Sequence, residues 1–168
     1  MKKHRYLLAG VLLISLFIYS FYRTEKTVIN QLIIRLFTRE GYLLAKAKVA
    51  TFLPLNNYFI YSLPEGLWIY CITITSSFFY LDIGGRKWRL VIAPILVAVS
   101  MEICQWLHLA NGRFDIMDIL SATFFWLLAL LDTNKGPAPE PLFKSVNMKT
   151  FYCIVSYGIV FLAHVNYR

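Results

Sequence analysis

Apolar residues along this chain fall in long blocks divided by short polar stretches. Residues 6–22 carry no charge. Residues 64–81 hold one acid, Glu65, near their start, and residues 90–109 hold one, Glu102, in their interior. Residues 115–131 have acids only in their first turn, and residues 150–165 have no fixed charge. A helix needs about 20 mostly apolar residues to cross about 30 Å of hydrocarbon. The pattern predicts five transmembrane helices in an all-α, polytopic membrane bundle.

Between the first two blocks the period changes. Ile29, Leu32, Ile33, Leu36 and Phe37 recur at helical spacing, and Gln31, Arg35 and Arg39 form the opposite stripe. Residues 28–52 are therefore expected to be one amphipathic helix in the membrane interface, serving either as a cover over the bundle or in lipid or substrate access. Gly136-Pro137-Ala138-Pro139-Glu140-Pro141 predicts an extended spacer before the last helix. A single membrane domain, residues 1–168, then divides into an amphipathic connection (23–62), a core (63–131), a Pro-rich linker (132–149) and a last span (150–165).

Composition agrees with the blocks. Hydrophobic residues make up 58% and charged residues 15%, against about 45–50% and about 25% in soluble domains. Disorder and a disulfide-stapled secreted domain are excluded. The N-terminal block has a basic start but no small-residue cleavage pattern after it, so an uncleaved anchor is expected, not a signal peptide. Cys71, Cys104 and Cys153 each lie within a block and are expected to be small buried apolar residues.

The net charge of +8 is assigned to topology and anionic lipid, not to nucleic acid. Lys2, Lys3, Arg5, Arg86, Lys87, Arg89, Lys135, Lys144 and Lys149 fall on one side of the threaded spans. Arg113 and Arg168 fall on the other, together with the cations of the amphipathic stretch, which can meet headgroups on either side. The positive-inside rule then puts the N-terminus on the cytoplasmic side of the membrane.

Threading brings Glu65, Glu102, Asp115 and Asp118 to the outer side, with Arg113 and Gln105 near them. Glu102 is the most informative. A carboxylate inside a span must face protein or water, be protonated, or be paired. A Glu102–Arg113 clasp that only locks two spans and a ligand site are both open readings. Ser62-Leu63-Pro64-Glu65 fits a capping box opening the second span, and Asp115 fits a cap on the fourth, with Asp118 in its first turn. Asp115-x-x-Asp118 is a weak pattern for a divalent ion with a phosphate. Asn111-Gly112 predicts the turn between the third and fourth spans. His108 has no second histidine at ligand spacing, so zinc is not expected, and no metal or cofactor is assigned.

Glu102-Ile103-Cys104-Gln105 followed by Gly112-Arg113-Phe114-Asp115-Ile116-Met117-Asp118 resembles the signature of the VanZ-like family of small bacterial membrane proteins. Leu63-Pro64-Glu65-Gly66-Leu67-Trp68 resembles a variant entry to the preceding span, where that family more usually has an Asp-Lys and a His. The resemblance covers residues 63–131. It implies a cell-envelope role connected with teicoplanin resistance and carries Glu102, Gln105, Arg113, Asp115 and Asp118 onto the family pattern. It implies no reaction.

Three functions remain open from the sequence. The first is an envelope protein whose outer polar site binds a cell-wall precursor or other lipid-linked ligand and alters glycopeptide susceptibility. The second is an enzyme on a lipid-linked, polar or phosphorylated substrate, with Glu102 as acid or base. The third is a small transporter or flippase, for which five spans without an inverted repeat are a poor fit.

Overall fold

The computed structural model describes residues 2–23, 28–109, 113–133, 138–142 and 147–164. The chain is mostly helical. Helices α1 (Lys2–Tyr22), α2 (Val28–Phe37), α3 (Arg39–Phe52) and α4 (Asn57–Ser76) come first. Strands β1 (Phe79–Ile83) and β2 (Arg86–Arg89) follow, then a 3-10 turn (Leu90–Ile92) leading into α5 (Ala93–Trp106). Helix α6 (Ile116–Thr133), strand β3 (Glu140–Pro141) and helix α7 (Met148–His164) complete the order. By contacts the chain forms two compact units, Met1–Pro64 with Tyr157–Arg168, and Glu65–Ser156.

Among the described residues, one helix, Ile116–Thr133, is long and apolar enough by length and composition to cross a membrane. Tyr6–Tyr22, Val28–Phe37 and Leu90–Trp106 are shorter apolar helical segments. Each of the five predicted blocks has a helix in it, but several boundaries differ from expectation.

In the first unit, the amphipathic stretch is two helices, not one. The break is Thr38, whose backbone takes φ 65°, a conformation that costs a β-branched residue energy. Thr38 is also the N-cap of α3, its Oγ1 accepting the Gly41 N–H at 3.4 Å. The end of α1 is tied down by polar side chains from α3: Tyr42 donates its hydroxyl to the Ser20 carbonyl, and Lys46 Nζ donates to the Arg23 carbonyl at 2.7 Å. These groups satisfy carbonyls that a helix end leaves without partners.

Helix α4 starts five residues before Ser62. Asn56 caps it, Oδ1 accepting the Phe59 N–H at 3.1 Å. The expected capping box at Ser62–Glu65 is therefore not a helix start: Pro64 stands inside the helix, and Glu65 lies eight residues along it, about 12 Å from its beginning at 1.5 Å per residue. The misreading is physical in origin. Proline and an acid three residues after a serine are what a first turn favours, and nothing local shows that the apolar Tyr58-Phe59-Ile60-Tyr61 before them is already helical.

In the second unit, α4 ends at Ser76 and not at Leu81, because Phe79–Ile83 pairs into a sheet. This small sheet, of order β2-β1-β3, corrects the all-α expectation. Strands β1 and β2 are antiparallel with Leu81 opposite Trp88. Gly84 and Gly85 have φ 61° and 77°, as a two-residue hairpin turn of the primed type requires. Strand β3 runs parallel to β1 on its other edge, so the end of the predicted spacer is a sheet strand. Residues 134–137 and Asn111-Gly112 lie outside the described residues. Hydrogen bonds tie α6 to the elements before it: Trp126 Nε1 donates to the Val91 carbonyl at 2.9 Å, and Tyr70 donates its hydroxyl to Asp132 at 3.0 Å. Cys71, Cys104 and Cys153 are free thiols, the first buried and the others half-buried.

Candidate functional site

The site is built where α5 ends and α6 begins. Helix α5 stops at Trp106, three residues short of the expected Leu109, and the chain turns back on itself. His108 takes φ 58°, while the Leu109 N–H donates to the Cys104 carbonyl at 2.8 Å and the His108 N–H to the Gln105 carbonyl at 3.0 Å. This is a left-handed helix stop, with histidine in the place glycine usually takes. His108 is exposed and is part of the turn.

Helix α6 opens at Asp115. Its Oδ1 accepts the Met117 N–H at 2.8 Å, and its carbonyl accepts the Asp118 N–H at 3.1 Å. Asp115 is thus the N-cap, as its position suggested. Its own N–H donates to Glu102 Oε2 at 3.0 Å. Glu102 is 3% exposed. The buried carboxylate of α5 is therefore held by the first peptide group of α6.

Helix α4 brings the third element. A Cβ on Gly66 would lie 2.2 Å from Phe125 Cδ2 and 2.7 Å from Ser121 Oγ. Only a glycine lets α4 come this close to α6. Ser121 and Phe125 stand three and seven residues after Asp118, on the same face of α6. Contact at Gly66 therefore draws the neighbouring Glu65 toward Asp118.

Carboxylate oxygens of Glu65, Glu102 and Asp118 all lie within 4.8 Å of one another. Glu65 and Asp118 are half-buried. Among the described residues, no other three His, Cys, Asp or Glu side chains come together in this way. At this separation each pair of full negative charges would repel by on the order of 3–4 kcal/mol at an effective dielectric of about 20. The positive end of the α6 dipole offsets part of that. The rest favours a shared proton, a cation, or the basic group of a ligand between them. Three carboxylate oxygens at this spacing are hard-cation ligands, suited to magnesium or calcium more than to zinc.

Of the six residues singled out from the sequence, the structure brings these three together. Arg113 is exposed and forms no ion pair with Glu102, so the Glu102–Arg113 clasp is absent: the Asp115 N–H takes the place expected for the guanidinium. Asp115 is exposed and spends one oxygen on its cap, so the group containing Asp118 is completed by Glu65 and Glu102, not by Asp115. Gln105 is half-buried. Gly66, Ser121 and Phe125 position the site and were not anticipated. The signal available for them was a glycine beside Glu65 and a small residue one turn after Asp118.

No protein-family model matches this chain, and neither a curated protein nor a solved structure does.

Proposed function

We propose that this chain is an integral membrane protein of the bacterial cell envelope, and that Glu65, Glu102 and Asp118 form its ligand site. Its five apolar helices, α1, α4, α5, α6 and α7, each cross the cytoplasmic membrane, with the N-terminus inside. Support for the membrane comes from surface chemistry: Leu120, Phe124, Leu127 and Leu131 of α6 are all exposed, and only 17% of that helix is buried. A core helix of a soluble protein buries such residues, whereas lipid covers them at no cost. On this threading the carboxylates open toward the outer side, and Arg113 and Asp115 stand at the rim.

The convergence of three carboxylates from three apolar helices carries the functional reading. Ionisable groups within a membrane are expensive, and a structural role needs one pair, not three acids. The site suits the cationic or cation-bridged polar part of a lipid-linked envelope ligand, such as a cell-wall precursor. Together with the resemblance to the VanZ-like family, this points to an effect on glycopeptide susceptibility.

The test is deletion in the natural host followed by complementation. Teicoplanin susceptibility should rise on deletion, return with the wild-type gene, and fail to return with Glu102→Ala or Asp118→Asn. Unchanged susceptibility on deletion counts against the glycopeptide role. An enzymatic reading rests on one further observation, the fixed orientation of buried Glu102 by the Asp115 N–H, which suits an acid or base. Turnover of a lipid-linked substrate that survived Glu102→Gln would exclude Glu102 as that acid or base, and no turnover by the wild type would exclude the enzymatic reading itself.

A further inference from the structure

The sheet between α4 and α5 has a division of faces that the carboxylate site does not use. Antiparallel partners share a face, and alternate residues switch faces. Leu81, Ile83 and Trp88 therefore stand on one face of the β1–β2 hairpin, with Arg86 at its tip. Asp82, Lys87 and Arg89 stand on the other, with Tyr80. The outer part of the apolar face is open: Ile83 is 62% exposed and Trp88 55%, while Leu81 is half-buried. Every residue of β2 is exposed. Lys87 Nζ lies 5.3 Å from the Tyr80 ring centroid, which holds the lysine on the polar face. A short ribbon with one apolar aromatic face and one cationic face is the strand counterpart of an interfacial amphipathic helix.

Chain continuity fixes where this ribbon lies. Strand β1 begins three residues after α4 ends, and β2 runs directly into the apolar segment Leu90–Trp106. If both helices cross the membrane, the hairpin has no choice but to lie at the bilayer surface. The charge on it also selects a surface: three cations against Asp82 alone suit the anionic cytoplasmic leaflet, and tryptophan favours the headgroup level.

We propose that the β1–β2 hairpin is an interfacial anchor, which inserts Trp88 and Ile83 at the acyl-chain boundary and binds anionic lipid headgroups through Arg86, Lys87 and Arg89. This rests on the membrane-spanning reading above. The exposed edge of β2 makes a second copy of the chain the competing occupant, by strand pairing.

Full-length protein in phosphatidylcholine vesicles tests the proposal, using the emission lost in Trp88→Phe to isolate Trp88. That emission should be quenched by phosphatidylcholine brominated high on the acyl chain, and little by iodide in the water. A small fraction of brominated phosphatidylglycerol should quench more than the same fraction of brominated phosphatidylcholine. Lys87→Gln/Arg89→Gln should bring the two toward parity, by about fivefold in relative association per charge removed. Trp88 emission open to iodide and untouched by brominated lipid overturns the proposal, as does equal quenching by the two lipids in the wild type. A Trp88→Cys variant that crosslinks to a second copy in dilute vesicles overturns it in favour of strand pairing. Alkaline carbonate extraction separates the two levels. Release of the protein from native membranes defeats the spanning reading itself, whereas retention with unquenched Trp88 defeats the anchor alone.

Discussion

Glu102 Oε2 accepts the backbone N–H of Asp115 at 3.0 Å, so a buried acid of α5 caps the entry to α6 from outside the helix. Two neighbouring acids then gain their positions from this one junction: Asp115, which closes the first turn, and Asp118, which follows it on the inner face. The junction makes the acids of this region unequal, and their substitutions should separate accordingly.

At Glu102, loss of charge and loss of the hydrogen bond should act in opposite directions. Glu102→Gln keeps an oxygen for the Asp115 N–H and removes one of three crowded negative charges. Glu102→Ala leaves that N–H without its acceptor, at a cost of about 1–3 kcal/mol. Thermal unfolding in detergent should place the Gln variant at or above wild type and the Ala variant below it. Equal melting of the two variants would mean that the bond contributes nothing.

At Asp115 the cap decides the outcome. Asp115→Ala removes the acceptor of the Met117 N–H and should cost about 0.5–2 kcal/mol, while Asp115→Asn retains it and should cost much less. The same unfolding measurement reads both. Since Asp115 contributes only its backbone to Glu102, neither variant should alter susceptibility in a complemented strain beyond the effect of reduced protein level, which immunoblotting checks.

Gly66→Ala should push α4 away from α6. Its methyl group would meet Phe125 and Ser121 at distances no real Cβ accepts, and overpacking of this sort costs about 1–3 kcal/mol. Phe125→Leu in the same chain should recover part of the loss by making room. A Gly66→Ala variant as stable as wild type would show that the two helices are not in this contact.

Much of the architecture is legible in the sequence because its causes are local. Runs of apolar residues mark the helices, Asp115 and Asp118 have the spacing of a cap and first turn, and a lone acid inside residues 90–109 singles out Glu102. What could not be read depends on partners far along the chain. The start of α4 was hidden by Pro64, whose tolerance inside a helix depends on surroundings that a sequence pattern does not display. The sheet is hidden because residues 79–81 continue an apolar block without a break, and only the pairing of Phe79–Ile83 with Arg86–Arg89 makes them a strand. The Glu102–Arg113 clasp was the natural pairing of opposite charges. A backbone N–H from the next helix competes for the same oxygen, and no residue pattern announces a backbone donor.

The central claim is that Glu65, on α4, and Asp118, on α6, share one site with Glu102. A double-mutant cycle tests it most directly, using Glu65→Gln, Asp118→Asn and the double variant, with unfolding free energies measured in detergent at neutral pH and low salt. Shared negative charge predicts that removing one acid changes what the other contributes, so the double variant should depart from the sum of the singles by about 0.5–3 kcal/mol. Effects that add to within about 0.3–0.5 kcal/mol, as for distant independent residues, would contradict a common site.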